Sequence, residues 1–224
     1  MKKRVPMIVA LLALVATVSA CAKPVSLLDV ANPRFAAVAP DSFDVEMVTT
    51  KGTLTVRVRR DWSPRGADRF HSLVREHFFE EVAFHRVIAG FVAQFGIHGD
   101  SAVARTWAER ERRIQDDSVR TANRRGTLSF AAAGPNTRST QMFFNLENNS
   151  AGLDTYGGFG FAPIGQVTAG LEILDRLYAD YSSGRPAPEG PSQDSIQARG
   201  NEYLLRKFPQ LDYIKSARVA RKWD

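Results

Sequence analysis

The sequence predicts a mainly β fold, a closed or nearly closed antiparallel sheet capped by helices. Three observations carry this. Strand-like segments recur from residue 43 to residue 168, only two stretches keep a clear helical period, and strands and helices do not alternate as a parallel sheet would require.

Taken in chain order, "FDVEMVTTKGTLTVRVR" sets Phe43, Val45 and Met47 against Asp44 and Glu46, then Leu54, Val56 and Val58 against Thr55 and Arg57. That alternation marks two half-buried strands, with Lys51 and Gly52 where a hairpin turns. In "SPRGADRFHSLVREHFF", Ser63 can cap a helix and Pro64 fits its first turn, while Ala67, Phe70, Val74 and Phe78 recur at helical spacing. Residues 82–96 return to a β-rich composition, 127–133 and 141–146 read as two further strands, and 162–168 as another. "AGLEILDRLYA" then places Leu171, Leu174, Leu177 and Tyr178 on one face of a second helix.

The two ends of the chain differ from this middle. Lys2, Lys3 and Arg4 precede an apolar run that ends in small residues, the layout of an export signal, and the run is shorter than the roughly 20 residues of a membrane-spanning helix. Val18, Ser19, Ala20 and Cys21 resemble the lipobox of bacterial lipoproteins, which implies residues 1–20 as a leader, Cys21 as a lipidated first residue, and a protein anchored in the cell envelope facing the periplasm. Ordinary secretory cleavage after Ala20 or Ala22 is the alternative. Residues 21–42 mix Pro, Ala and polar residues without a sustained period and read as a tether. A domain over 43–183 follows, and a Pro and Gly cluster at 184–191 opens a C-terminal extension, 184–224, in which "LDYIKSARV" could return as a strand.

Charge and cysteine usage exclude several classes. Of 30 Lys and Arg against 24 Asp and Glu, cleavage before Cys21 removes three basic residues, so 27 minus 24 leaves +3. The Arg-rich stretch 101–125 interleaves seven arginines with four acids around one aromatic, Trp107, and reads as a surface excursion rather than a nucleic-acid patch. One cysteine permits neither an intrachain disulfide nor a thiolate pair for zinc. His71, His77, His85 and His98 lack metal-type spacing, and Gly157, Gly158 and Gly160 lie outside any strand-to-helix phosphate loop.

Two stretches remain, "FHRVIAGFVAQFG" (84–96) and "GTLSFAAAGPNTRSTQMFFN" (126–145). The first places a guanidinium, Arg86, and an amide, Gln94, among large apolar residues; the second puts Gln141 and Phe143 two apart, on one face of a strand. Together with "GFAPIGQV", they resemble the cyclophilins, the cyclosporin-binding peptidyl-prolyl cis-trans isomerases, from about Phe43 to Ala179.

The resemblance implies an eight-stranded antiparallel barrel with an α-helix at each end. It implies Arg86 as the catalytic arginine, Phe91, Gln94, Gln141 and Phe143 as pocket residues, Ala131 in the peptide groove and Leu153 as a pocket leucine. Ala132 stands where many members have an asparagine used through its backbone, Ala89 replaces a proline, and Gly152 occupies the family's variable tryptophan position. Phe161 lies closest to the place of a common pocket histidine. The implied activity is accelerated rotation about X-Pro bonds in folding or flexible exported polypeptides, by a monomer without cofactor or metal; the alternative is a non-catalytic module that binds proline peptides as a chaperone. A strand in strict alternation puts Arg86 and Gln94 on one face and Phe91 on the other, and Gly90 is the natural bend that brings Phe91 round.

Overall fold

The computed structural model describes residues 24–181 and 190–223, so the leader, Cys21 and most of the Pro and Gly cluster lie outside the described residues. The expected hairpin is β1 (Ser42–Thr49) with β2 (Gly52–Arg59), paired from Ser42 opposite Arg59 to Thr49 opposite Gly52. Its inward set, Phe43, Val45, Met47, Leu54, Val56 and Val58, is fully buried. The chain continues through α1 (Pro64–Arg75), β3 (Val82–Ala83), β4 (Arg86–Ile88), β5 (Val92–Phe95), α2 (Ser101–Ala108), β6 (Thr127–Phe130), β7 (Met142–Asn145), α3 (Ser150–Leu153), β8 (Pro163–Ala169), α4 (Gln193–Lys207) and β9 (Tyr213–Trp223).

All nine strands form one antiparallel sheet in the order β3-β9-β1-β2-β8-β6-β7-β5-β4. Its two edge strands are consecutive in the chain, separated only by Phe84 and His85. Three Cα steps reach at most about 11 Å, so the edges are drawn together and the sheet curls into a barrel. The expected count of eight becomes nine because the stretch 82–88 breaks at Phe84–His85: its first part pairs with β9 and its second with β5.

One end of the barrel is covered by α1, which turns Ala67, Phe70, Leu73 and Val74 into the core. The second expected α-helix is instead a 3-10 helix, Leu171–Arg176. Leu171, Leu174 and Leu177 recur every three residues, a spacing that a 3-10 helix lines up and an α-helix splays, and Ile173 and Leu174 are buried by it. The surface excursion contains α2, whose start is capped by the Asp100 carboxylate accepting from the Ala102 and Val103 amides. Trp107 on α2 is buried and donates from Nε1 to the Leu27 carbonyl at 2.9 Å.

Both flanking segments are built into the body. Before β1, a 3-10 turn at Pro33–Ala36 buries Phe35, Arg34 pairs with the buried Glu76 at 2.8 Å, and the Ala39 amide donates to Asp68. At the other end β9 runs along β1 from Ser42 opposite Trp223 to Thr49 opposite Ile214. Its outward residues Lys215, Arg218 and Arg221 left little apolar alternation to read, although it supplies a strand of the barrel itself.

Candidate active site

The segment that carries Arg86 and Gln94 is a hairpin, not one strand. β4 and β5 pair antiparallel with Arg86 directly opposite Gln94 and Val87 opposite Ala93, so the two polar side chains share the outer face across a ladder while Val87 and Ala93 enter the core. The turn is Ala89–Gly90–Phe91, closed by the Phe91 amide donating to the Ile88 carbonyl at 2.9 Å. Gly90 has φ +70°, which an L side chain rarely adopts, and nothing crowds its Cβ position, so the need for glycine here is conformational. The bend brings Phe91 to the same cavity as Arg86.

β7 lies beside β5 with Phe143 opposite Gln94, and β6 lies on the other side of β7. Past the end of β6, the Ala131 amide donates to the Gln141 carbonyl at 2.9 Å, which holds Ala131 beside Gln141. Side-chain hydrogen bonds then join the polar residues: Arg86 Nη1 donates to Gln94 Oε1 at 3.3 Å, and Gln94 Nε2 donates to Gln141 Oε1 at 2.9 Å.

The result is a groove with two lobes. The apolar lobe, about 330 Å³, is lined by Arg86, Phe91, Gln94, Ala131, Ala132, Phe143, Leu153 and Phe161 together with Val92 and Tyr156. The polar lobe, about 390 Å³, shares Gln94, Ala131 and Ala132 and adds Gln141. Every site residue read from the sequence therefore faces one or the other, with Gln141 in the polar lobe only. Val92, Phe143, Leu153 and Phe161 form an apolar cluster separate from the barrel core, with Phe91 and Phe159 packed against it, and the Phe143 and Phe161 rings meet edge-to-face at 5.6 Å.

Two residues of this site were not found from the sequence. Tyr156 stands between α3 and β8 beside Gly157 and Gly158, its ring 5.3 Å from that of Phe161, and a Gly-rich setting carries no sign of a pocket wall. Asn123 is fully buried and ties that wall to the sheet. Its Nδ2 donates to Asp154 Oδ1 and to the Phe161 carbonyl at 2.8 and 2.7 Å, while its Oδ1 accepts from Ser129 and Asn145. Only a carboxamide at a pinch point between strands could have signalled this, and one asparagine in an Arg-rich stretch does not.

Electrostatically, the apolar lobe holds one cation and no carboxylate among its lining residues. Half-burial lowers the Arg86 pKa from its usual value, through loss of water around the guanidinium, without bringing an arginine into a range where it would lose its proton at neutral pH. The adjacent His85 is buried and its pKa is pushed down to about 4, by burial first and by the Arg86 charge second. It is neutral at pH 7. The arrangement is a rigid donor fork at the mouth of a greasy slot, flanked by amides that can hold a peptide backbone.

Comparison with known proteins agrees with this geometry. The family model described as cyclophilin type peptidyl-prolyl cis-trans isomerase/CLD matches residues 44–197. A peptidyl-prolyl cis-trans isomerase of Acinetobacter baylyi is 30% identical over 134 residues, which span 59% of this chain and 70% of that protein. One of Schizosaccharomyces pombe is 32% identical over 156 residues, 64% of this chain and 91% of that protein. A solved cyclophilin type isomerase of Cryptosporidium parvum superposes with a TM-score of 0.57 at 19% identity, covering 80% of this chain and 97% of that one. The same protein crystallised in the presence of the dipeptide ala-pro gives 0.54 at 20%, covering 79% and 98%.

Proposed function

We propose, for a chain that belongs to the cyclophilin-type peptidyl-prolyl cis-trans isomerase family and is a prolyl isomerase, that rotation takes place in the apolar lobe with Arg86 as the catalytic residue. The observation that carries this assignment is the convergence of one guanidinium, two glutamines and an aromatic slot on a single groove. The proline ring lies in the slot between Phe91, Phe143, Leu153 and Phe161, and the backbone on either side rests on Gln94, Gln141 and the Ala131–Ala132 edge. The related isomerase crystallised with ala-pro supports a proline-containing peptide as the ligand class.

Amide resonance sets the barrier to be lowered, about 18–20 kcal/mol, which leaves an X-Pro bond turning over in tens to hundreds of seconds. In the twisted state the lone pair localises on the prolyl nitrogen and becomes an acceptor. A guanidinium aimed at it binds that state better than either planar one, and this differential binding is what accelerates the reaction. A thousand-fold gain requires about 4 kcal/mol, whereas a hydrogen bond to a charged group contributes roughly 1.5–3 kcal/mol. The remainder comes from gripping the ring so that only the preceding carbonyl swings, and from the exclusion of water that half-burial of Arg86 implies.

The test is NMR exchange on a short Ala-Pro peptide with the full chain purified in detergent. Faster interconversion with an unchanged cis to trans ratio is expected. Arg86→Ala should lower kcat at least tenfold, at about 1.4 kcal/mol per decade, with peptide affinity nearly intact, whereas Phe143→Ala should weaken binding as well. Arg86→Lys, which keeps the charge and loses the fork, should recover little. Binding without faster exchange in the unmutated chain would overturn the assignment.

The substrates are flexible polypeptides outside the cytoplasm, and the enzyme is held there by lipid on Cys21. What supports this is the leader and the lipobox-like run before Cys21. Pro24 already belongs to the segment leading into the docked turn, and three residues reach at most about 11 Å, so the lipid would hold the body close to the bilayer surface. Cys21→Ser should release the protein from membranes or stall its processing, and mass spectrometry finding an unmodified chain that starts at Lys23 would refute the anchor.

A further inference from the structure

The hydrogen-bonded chain that begins at Arg86 does not stop at Gln141. Gln141 Nε2 donates to Gln193 Oε1 at 3.0 Å, and Gln193 opens α4, outside the strands that build the groove. From these three linked amides we infer that Gln193 is a positioning residue for the isomerase: its carbonyl fixes which way round Gln141 stands, hence which way round Gln94 stands, hence that an acceptor faces the Arg86 guanidinium. The inference rests on the reading of Arg86 given above.

The reasoning follows from what a carboxamide is. Its two ends are nearly the same size but opposite in hydrogen-bonding sense, one accepting and one donating twice, so neighbours alone decide its orientation. Along this chain every link runs in the same sense, from a nitrogen to the next amide's oxygen: Arg86 to Gln94, Gln94 to Gln141, Gln141 to Gln193. Reversing the last acceptor turns Gln141 over. Gln94 must then present oxygen to Gln141 and its NH2 to Arg86, where donor would face donor.

The position of Gln193 is set by contacts that do not use its side chain. Ser192 caps the helix by accepting from the Ser195 amide, and Ile196 and Leu204 are buried in a cluster with Ile97 and Ala104 of the barrel side. The Asn201 amide donates to the Gly99 carbonyl at 2.8 Å, and Asn201 Nδ2 donates to the Glu81 carbonyl at 2.8 Å. Gly200 crosses Gly99 in a left-handed conformation, φ +57°, with the Gly99 carbonyl where a Cβ would be. Gln193 itself is exposed, so its substitution spares the core. Gln197 lines the same polar lobe one turn later but stands outside the amide chain.

The experiment compares Gln193→Glu, Gln193→Ala and Gln193→Lys with the unmutated full chain, measuring kcat and KM by exchange on the Ala-Pro peptide at low salt and at about 1 M salt, where charge effects are screened beyond roughly 3 Å. Glutamate keeps an acceptor and should retain kcat. Lysine offers only donors and should lower kcat more than KM, by the worth of one net hydrogen bond, about 0.5–1.5 kcal/mol or roughly 2- to 12-fold, at both salt concentrations. Alanine should fall between. Equal kcat in all three variants overturns the inference and leaves the Arg86 assignment standing; so does a lysine effect that vanishes in high salt or appears in KM alone. An unmutated chain that fails to speed exchange removes the Arg86 assignment itself.

Discussion

Asn123 shows how far a groove can depend on a residue that never touches its ligand. With no accessible surface it holds Asp154, the Phe161 carbonyl, Ser129 and Asn145 at once, so it joins the wall that carries Leu153 and Phe161 to the strand that carries Phe143. Asn123→Ala strands several buried polar groups, each costing about 1–3 kcal/mol when unsatisfied. A loss of about 2–4 kcal/mol is expected, lowering Tm by on the order of 10 °C. KM for a proline peptide should rise in the material that still folds, and unchanged melting and KM would show that the wall holds without it. The lining of the groove was legible in the sequence because Arg86, Phe91, Gln94, Gln141 and Phe143 sit in long unbroken motifs. Asn123 was not, because its four partners come from four places in the chain.

At the scale of elements, what could be read and what could not divides by period. β1 and β2 alternate strictly and declared themselves. α1 showed its helical stripe and its Ser63–Pro64 start, although the Ser63 side chain gives its hydrogen bond to Asp117 rather than capping the helix. The β4–β5 ladder was hidden inside a segment that reads as one strand, because a three-residue turn around Gly90 carries no more signal than a bend. Leu171–Arg176 repeats every third residue, a spacing easily taken for α-helical. The segment before β1 has no period at all, yet its Phe35 and the backbone carbonyl of Leu27 find partners on α1 and α2. Such docking is decided by surfaces that exist only once the barrel has formed.

For the molecule as a whole, two buried histidines make stability a function of pH. His85 has its pKa pushed down to about 4 by burial and then by Arg86. His71, against the Phe43 ring at 4.8 Å, is also lowered to about 4, by burial first and Arg75 next, with Asp68 opposing. Since an unfolded histidine titrates near 6.5, the unfolded chain binds more protons below that pH. Stability is therefore fully present above about pH 6.5 and is lost as pH falls towards 4. His85 alone is worth about 3 kcal/mol across that interval. Urea unfolding at pH 7 and pH 4.5 should show the loss, and His85→Phe should remove a large part of the slope; equal slopes would refute the role of His85. A last consequence belongs to the pairing of β1 with β9. Ser42 finds its partner in Trp223, so during synthesis β1 has one edge that stays uncovered until β9 follows it. Barrel assembly must therefore wait for β9, however early the β1–β2 hairpin forms, so the two ends of the domain are committed to their shape together.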